Sequence, residues 1–129
     1  MATALYAALC GLGLVFLSIR VIRLRREHHI SYGHQGNADL ERAMRVQANF
    51  VEYTPIALIL LMLSEMGGMP IWEVHVFGVA FIVARVSHFI GFRTDEAPMI
   101  FRVGGMLLTF GVIALLSILM LIYLDLPAM

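Results

Sequence analysis

Four apolar stretches, parted by three short polar breaks, set the plan of the chain. The first is uncharged from Ala4 to Ile19 and predicts a helix over about 3–23; the others predict helices over about 40–66, 70–92 and 99–124. At about 1.5 Å per residue, such helices cross most or all of a hydrocarbon core about 30 Å thick. The expected fold is an all-α membrane protein, a single four-transmembrane-helix up-down bundle filling residues 1–129. Asp39 is the expected N-cap of helix two, and Gly67 with Gly68 ends it. Pro70 suits the first turn of helix three, Asp125 and Pro127 end helix four, and Pro55 predicts a kink just above Glu52. Gly104, Gly105 and Gly111 predict close packing by helix four. The small residues Ala4, Ala7, Ala8 and Gly11 allow the same on helix one, where ordinary membrane-helix composition explains them equally well.

One helix breaks the apolar pattern. In Glu41–Pro55 (ERAMRVQANFVEYTP), Arg42, Arg45, Asn49 and Glu52 fall on one narrow arc, because offsets of 3, 7 and 10 nearly complete whole helical turns. A charged side chain at the centre of a membrane helix costs roughly 2.5–3.5 kcal/mol on the insertion scale, so this stripe should face protein or trapped water. By default it marks a site.

Composition sharpens the picture. The chain is 60% hydrophobic with formal net charge zero, yet all nine basic side chains are arginine. They gather toward the segments joining helices one to two and three to four, which predicts cytoplasmic placement of those loops and both termini outside. Topology explains the basic cluster better than nucleic acid does, because no aromatic or glycine-rich binding module accompanies it. Cys10 is the only cysteine, so no internal disulfide forms. His28, His29 and His34 lie in the first polar break without zinc-like spacing, and no metal is expected.

Depth can be counted from the outer ends at Gly67, Pro70 and Leu124. Glu52 and Arg85 each lie 15 residues down, about 22 Å at the helical rise, and are expected at one level where they can pair. Asn49 and His88 are each 18 down; Arg45, Phe92 and Arg102 are each 22 down. Guanidiniums, an amide, a carboxylate and a histidine at matched depths suit a small anion carrying carboxylates and an amine. In such a pocket Glu52 either neutralises Arg85 or accepts from a ligand ammonium.

The run Arg42-Ala-Met-Arg45-Val-Gln47-Ala-Asn49-Phe-Val-Glu52-Tyr53-Thr-Pro55 resembles the helix-two signature of the MAPEG family, the membrane-associated proteins in eicosanoid and glutathione metabolism. Arg85-Val-Ser-His88-Phe-Ile-Gly-Phe92 resembles its helix-three signature, and length and four-helix plan agree. The resemblance implies a bacterial, microsomal glutathione transferase-like member of the inner membrane. It further implies a homotrimer binding glutathione between subunits near the cytoplasmic face. By motif position, Arg45, Asn49, Glu52, Tyr53, Arg85, His88 and Phe92 would contact glutathione from one subunit and Gln47 from the next. Arg102, at the base of helix four, would stabilise the thiolate. Where several relatives carry a tyrosine on helix three, this chain has Phe92, so one hydroxyl is missing.

The implied chemistry is transfer of glutathione to a membrane lipid or other lipophilic electrophile, or reduction of a hydroperoxide. A thiol of pKa about 8.5 is only a few per cent ionised at pH 7; lowering it by about two units takes about 2.7 kcal/mol of thiolate stabilisation, within reach of one fixed guanidinium. Two alternatives stand beside this reading. One is a non-catalytic MAPEG-type lipid-binding or scaffold protein, which would not need the arginine, asparagine and glutamate set. The other is a small multidrug exporter, which would need an acid in helix one that this chain lacks.

Overall fold

A computed structural model describes residues 1–125, with side chains through residue 122; Pro127, expected to help end helix four, lies outside the described residues. Four helices follow in order: α1 (Thr3–Glu27), α2 (Ala38–Met66), α3 (Ile71–Ile90) and α4 (Met99–Asp125). All four are long and apolar enough to cross a membrane, and no strand occurs among the described residues. Consecutive helices pack side by side, and α2 also touches α4 while α1 touches α3. This is the all-α four-helix membrane bundle that the apolar pattern predicts.

The ends differ from expectation by a few residues, each for a local reason. α1 runs one turn past Arg23 because Arg23 pairs with Glu27 at 3.2 Å, while Arg25 and Arg26 complement the dipole of its last turn. The N-cap of α2 is Asn37, whose Oδ1 accepts the Leu40 N–H at 2.8 Å; Asp39 sits inside the first turn instead. α2 runs unbroken through Pro55 to Met66. Pro70 caps α3 from outside, and α3 stops at Ile90, so Phe92 stands in the turn beyond it.

Close approach happens where a side chain is missing. A Cβ on Gly105 would stand 2.7 Å from the Ala84 carbonyl oxygen and the His88 nitrogen, and one on Gly91 would stand 2.5 Å from the Arg102 nitrogen. α3 and α4 therefore meet backbone to backbone at the level of His88. Gly78 leaves room for the Tyr6 ring, whose hydroxyl is 2.7 Å from His75 Nδ1. Gly104 and Gly111 face open space, and Ala4, Ala7, Ala8 and Gly11 lie on the exposed face of α1. The buried face of α1 is Thr3, Tyr6, Cys10, Leu17 and Val21. At the N-terminal end of α1 the Glu65 carboxylate of α2 accepts the Ala2 and Thr3 N–H groups, the latter at 2.8 Å, satisfying donors that helix geometry leaves open. Lower down, Gln47 of α2 donates to Ser18 Oγ of α1 at 2.8 Å.

Candidate functional site

The polar stripe of α2 meets the C-terminal end of α3. Arg45, Ala48, Asn49 and Glu52 from α2, with His88 and Phe92 from α3 and its following turn, line a cavity of about 140 Å³. His88 is buried, and its ring lies 4.9 Å from that of Phe92. Arg45 and Glu52 are exposed at the mouth, and neither forms an ion pair among the described residues. The cavity thus presents one cation, one anion, an amide and an imidazole, all free of strong competing partners except the amide.

Arg85 does not pair with Glu52. Its Nη1 donates to Asn49 Oδ1 at 2.7 Å, and its Nη2 donates to Thr109 Oγ1 and lies 3.7 Å from Met106 Sδ. Counting along the axis gives depth but not direction around it. Arg85 is 6% exposed and points into the bundle, so it meets the half-buried Asn49 one turn below, while Glu52 points outward. Thr109, fully buried, is the site residue that charge-led sequence reasoning misses. The same count finds it, because Thr109 stands 15 residues below Leu124, at the depth of Arg85.

The remaining expected residues lie around the cavity rather than in it. Arg102 packs its guanidinium 3.9 Å from the Phe92 ring centre and donates to the Gly91 carbonyl at 3.3 Å, so the ring that lines the cavity also touches Arg102. Tyr53 packs edge-on against Phe110 of α4 at 5.5 Å. Gln47 lines a neighbouring open hollow with Arg25 and Met44, and Ala48 and Glu52 stand between that hollow and the cavity, lining both. Arg42, first in the polar stripe, holds Asp39 in its own helix and Asp95 in the α3–α4 turn. It ties that turn to the base of α2 and takes no part in the cavity.

Comparison with known sequences gives the chain its family. The MAPEG family model matches residues 3–122. Inner membrane protein YecN of Escherichia coli strain K12 is 41% identical over 93 residues, covering 72% of this chain and 71% of the relative. Its counterpart in E. coli O6:H1 strain CFT073 matches to the same extent. With four membrane-length helices and a family match running along nearly all of them, the chain belongs to the MAPEG family.

Proposed function

We propose that this protein is a glutathione-binding enzyme of the inner membrane, activating the glutathione thiol against lipophilic electrophiles or hydroperoxides. The observation that carries the reading is the cavity where Arg45, Asn49, Glu52, His88 and Phe92 converge. Arg45 suits a carboxylate of the tripeptide, and Glu52, free of Arg85, suits its ammonium group. The inner-membrane placement is taken from the name of the YecN relatives.

Size supports a shared site. A cavity of 140 Å³ is close to the ~150 Å³ that holds a benzene molecule, and a tripeptide needs more. Arg45 and Glu52 are also exposed on a membrane-length helix, which is costly beside lipid. A homotrimer answers both points by laying a neighbouring subunit, with Gln47 of its α2 and Arg25 of its α1, over the cavity mouth.

In the proposed transferase step the glutathione thiol gives up its proton to water at the cavity mouth, and the thiolate forms a carbon–sulfur bond to the electrophile as the leaving group departs with the bonding electrons. Arg102 would stabilise the thiolate from beside Phe92. That placement behind an aromatic ring also favours a second reading, a binding protein that holds glutathione without activating it.

The test is purification in detergent, calorimetric titration with glutathione, thiolate absorbance, and conjugation of a generic aromatic halide. Binding with turnover supports the enzyme, and binding without either thiolate or turnover supports the second reading. Failure to bind defeats both. Arg102→Ala should abolish turnover while sparing most binding; undiminished turnover removes Arg102 from the chemistry.

A further inference from the structure

The polar cavity backs onto an apolar one of about 270 Å³ on the other side of His88, lined by Cys10, Leu17, Phe50, Arg85 and Phe89 among others. A third hollow differs from both, because it opens at the C-terminal end of α1 and gathers cations without an acid. It measures about 480 Å³ and is lined by Ile22, Arg25, Arg26, His29, Ile30 and Ser31. The nearby Glu27 carboxylate is taken by Arg23 at 3.2 Å, and neither Arg25 nor Arg26 forms an ion pair among the described residues. Arg25 is held in place by donating from Nη1 to the Gly33 carbonyl at 2.9 Å. Arg26, His29 and Ser31 are exposed, and their side chains make no hydrogen bond to another described residue, so all three keep a donor for a ligand.

The backbone adds a second observation. His29 follows the last turn of α1 at φ 54°, with its N–H bonded to the Arg26 carbonyl at 3.3 Å and that of Ile30 to the Arg25 carbonyl at 3.0 Å. Helices commonly end on a residue in this left-handed region, and glycine is the residue that occupies it without penalty. An imidazole kept there at a conformational cost, facing a basic hollow, is the kind of local strain found at binding sites.

Depth and the face of α1 above the hollow say what the ligand is. Arg26 lies 23 residues beyond Thr3, about 34 Å along the axis and so past a hydrocarbon core of about 30 Å, in the headgroup layer. Leu12, Val15, Ile19 and Ile22 are exposed and recur every three or four residues, forming an apolar ridge that runs straight down to Arg26. From this acid-free hollow at headgroup depth, continuous with an apolar ridge, we infer that the end of α1 binds one anionic phospholipid, its phosphodiester between Arg26, His29 and Ser31 and one acyl chain along the ridge. Guanidinium matches the phosphate oxygens, and a headgroup without a cation of its own brings no positive charge against the arginines. Arg26, His29 and Ser31 line neither the polar cavity nor the hollow beside Gln47, so this site does not depend on glutathione binding.

Native mass spectrometry of the full chain in detergent tests this, with titrations of dioleoyl phosphatidylglycerol and of phosphatidylcholine carrying the same chains. The first phosphatidylglycerol per chain should bind at least tenfold more tightly than phosphatidylcholine, and equal affinities overturn the proposal. Arg26→Gln should cut that preference at least fivefold. Arg23→Gln removes an equal charge from outside the hollow and should cut it less than twofold; equal losses in the two variants mean diffuse attraction to a basic segment and overturn the site. His29→Gly gives the backbone the residue that suits it, so the variant should fold at least as well while binding phosphatidylglycerol more weakly. Unchanged binding there overturns the placement of the headgroup beside His29. Inorganic phosphate should not displace the lipid; displacement makes free phosphate the ligand and overturns the lipid assignment.

Discussion

The two cavities either side of His88 are built on opposite principles. The polar one carries Arg45 and Glu52 at its mouth, opposite charges at a partly open surface. The apolar one carries a single guanidinium in its wall with no anion in reach. Between them stands a thin partition made of His88, Asn49 and the two bonded arms of Arg85. A charge in water or beside another charge is inexpensive, whereas one in an apolar wall must be fixed by geometry. The protein spends its hydrogen bonds on Arg85 for that reason.

The comparison can be broken most severely at the partition itself. Gly105→Val places carbon against the Ala84 carbonyl and the His88 nitrogen, which are backbone and cannot turn aside. The expected loss is at or above the ~3 kcal/mol upper range for overpacking, read as thermal unfolding in detergent, with glutathione binding gone. Next come changes confined to the polar side. Arg45→Ala and Glu52→Ala each remove a charged contact of about 1.5–3 kcal/mol and should weaken glutathione tenfold or more in calorimetric titration; undiminished affinity in both variants would remove the α2 stripe from the glutathione site.

Thr109→Val tests the partition from behind. It deletes one acceptor of the buried Arg85 and should cost about 1–3 kcal/mol of stability, with glutathione affinity changed less than twofold. The smallest effect belongs to Asp95→Asn, which loosens an exposed partner of Arg42 and should change stability by less than about 1 kcal/mol with glutathione affinity intact. A larger loss in binding would show that the α3–α4 turn helps shape the polar cavity.

Helix number and type were legible in the sequence because long uncharged runs have few other uses at this length. Most of the polar cavity was legible too, since a period of three and four residues fixes which side chains of α2 share a face. What could not be read was direction around each axis. Glu52 and Asn49 are a turn apart on one stripe, and only the packing of α3 decides which of them Arg85 meets. Helix ends were set by competing local bonds, as with Asn37 taking the cap that Asp39 could also have supplied. Thr109 was passed over because a lone hydroxyl in a greasy helix carries no signal until a buried charge is known to stand at its depth.

The fastenings at Glu65 and Gln47 decide which seam of the bundle can part. They bolt α1 to α2 at one end and again past the middle of α1, so neither helix slides along the other without stripping bonds from a carboxylate or an amide. The α1–α3 seam is held differently: a hydrogen bond joins Tyr6 to His75 at one end, while farther along Phe16 lies edge-on to Phe89 at 5.8 Å and Arg20 above Phe89 at 5.2 Å. Ring contacts of this kind yield to side-chain rotation more readily than a hydrogen-bonded carboxylate does, so α1 is fixed to α2 more firmly than to α3.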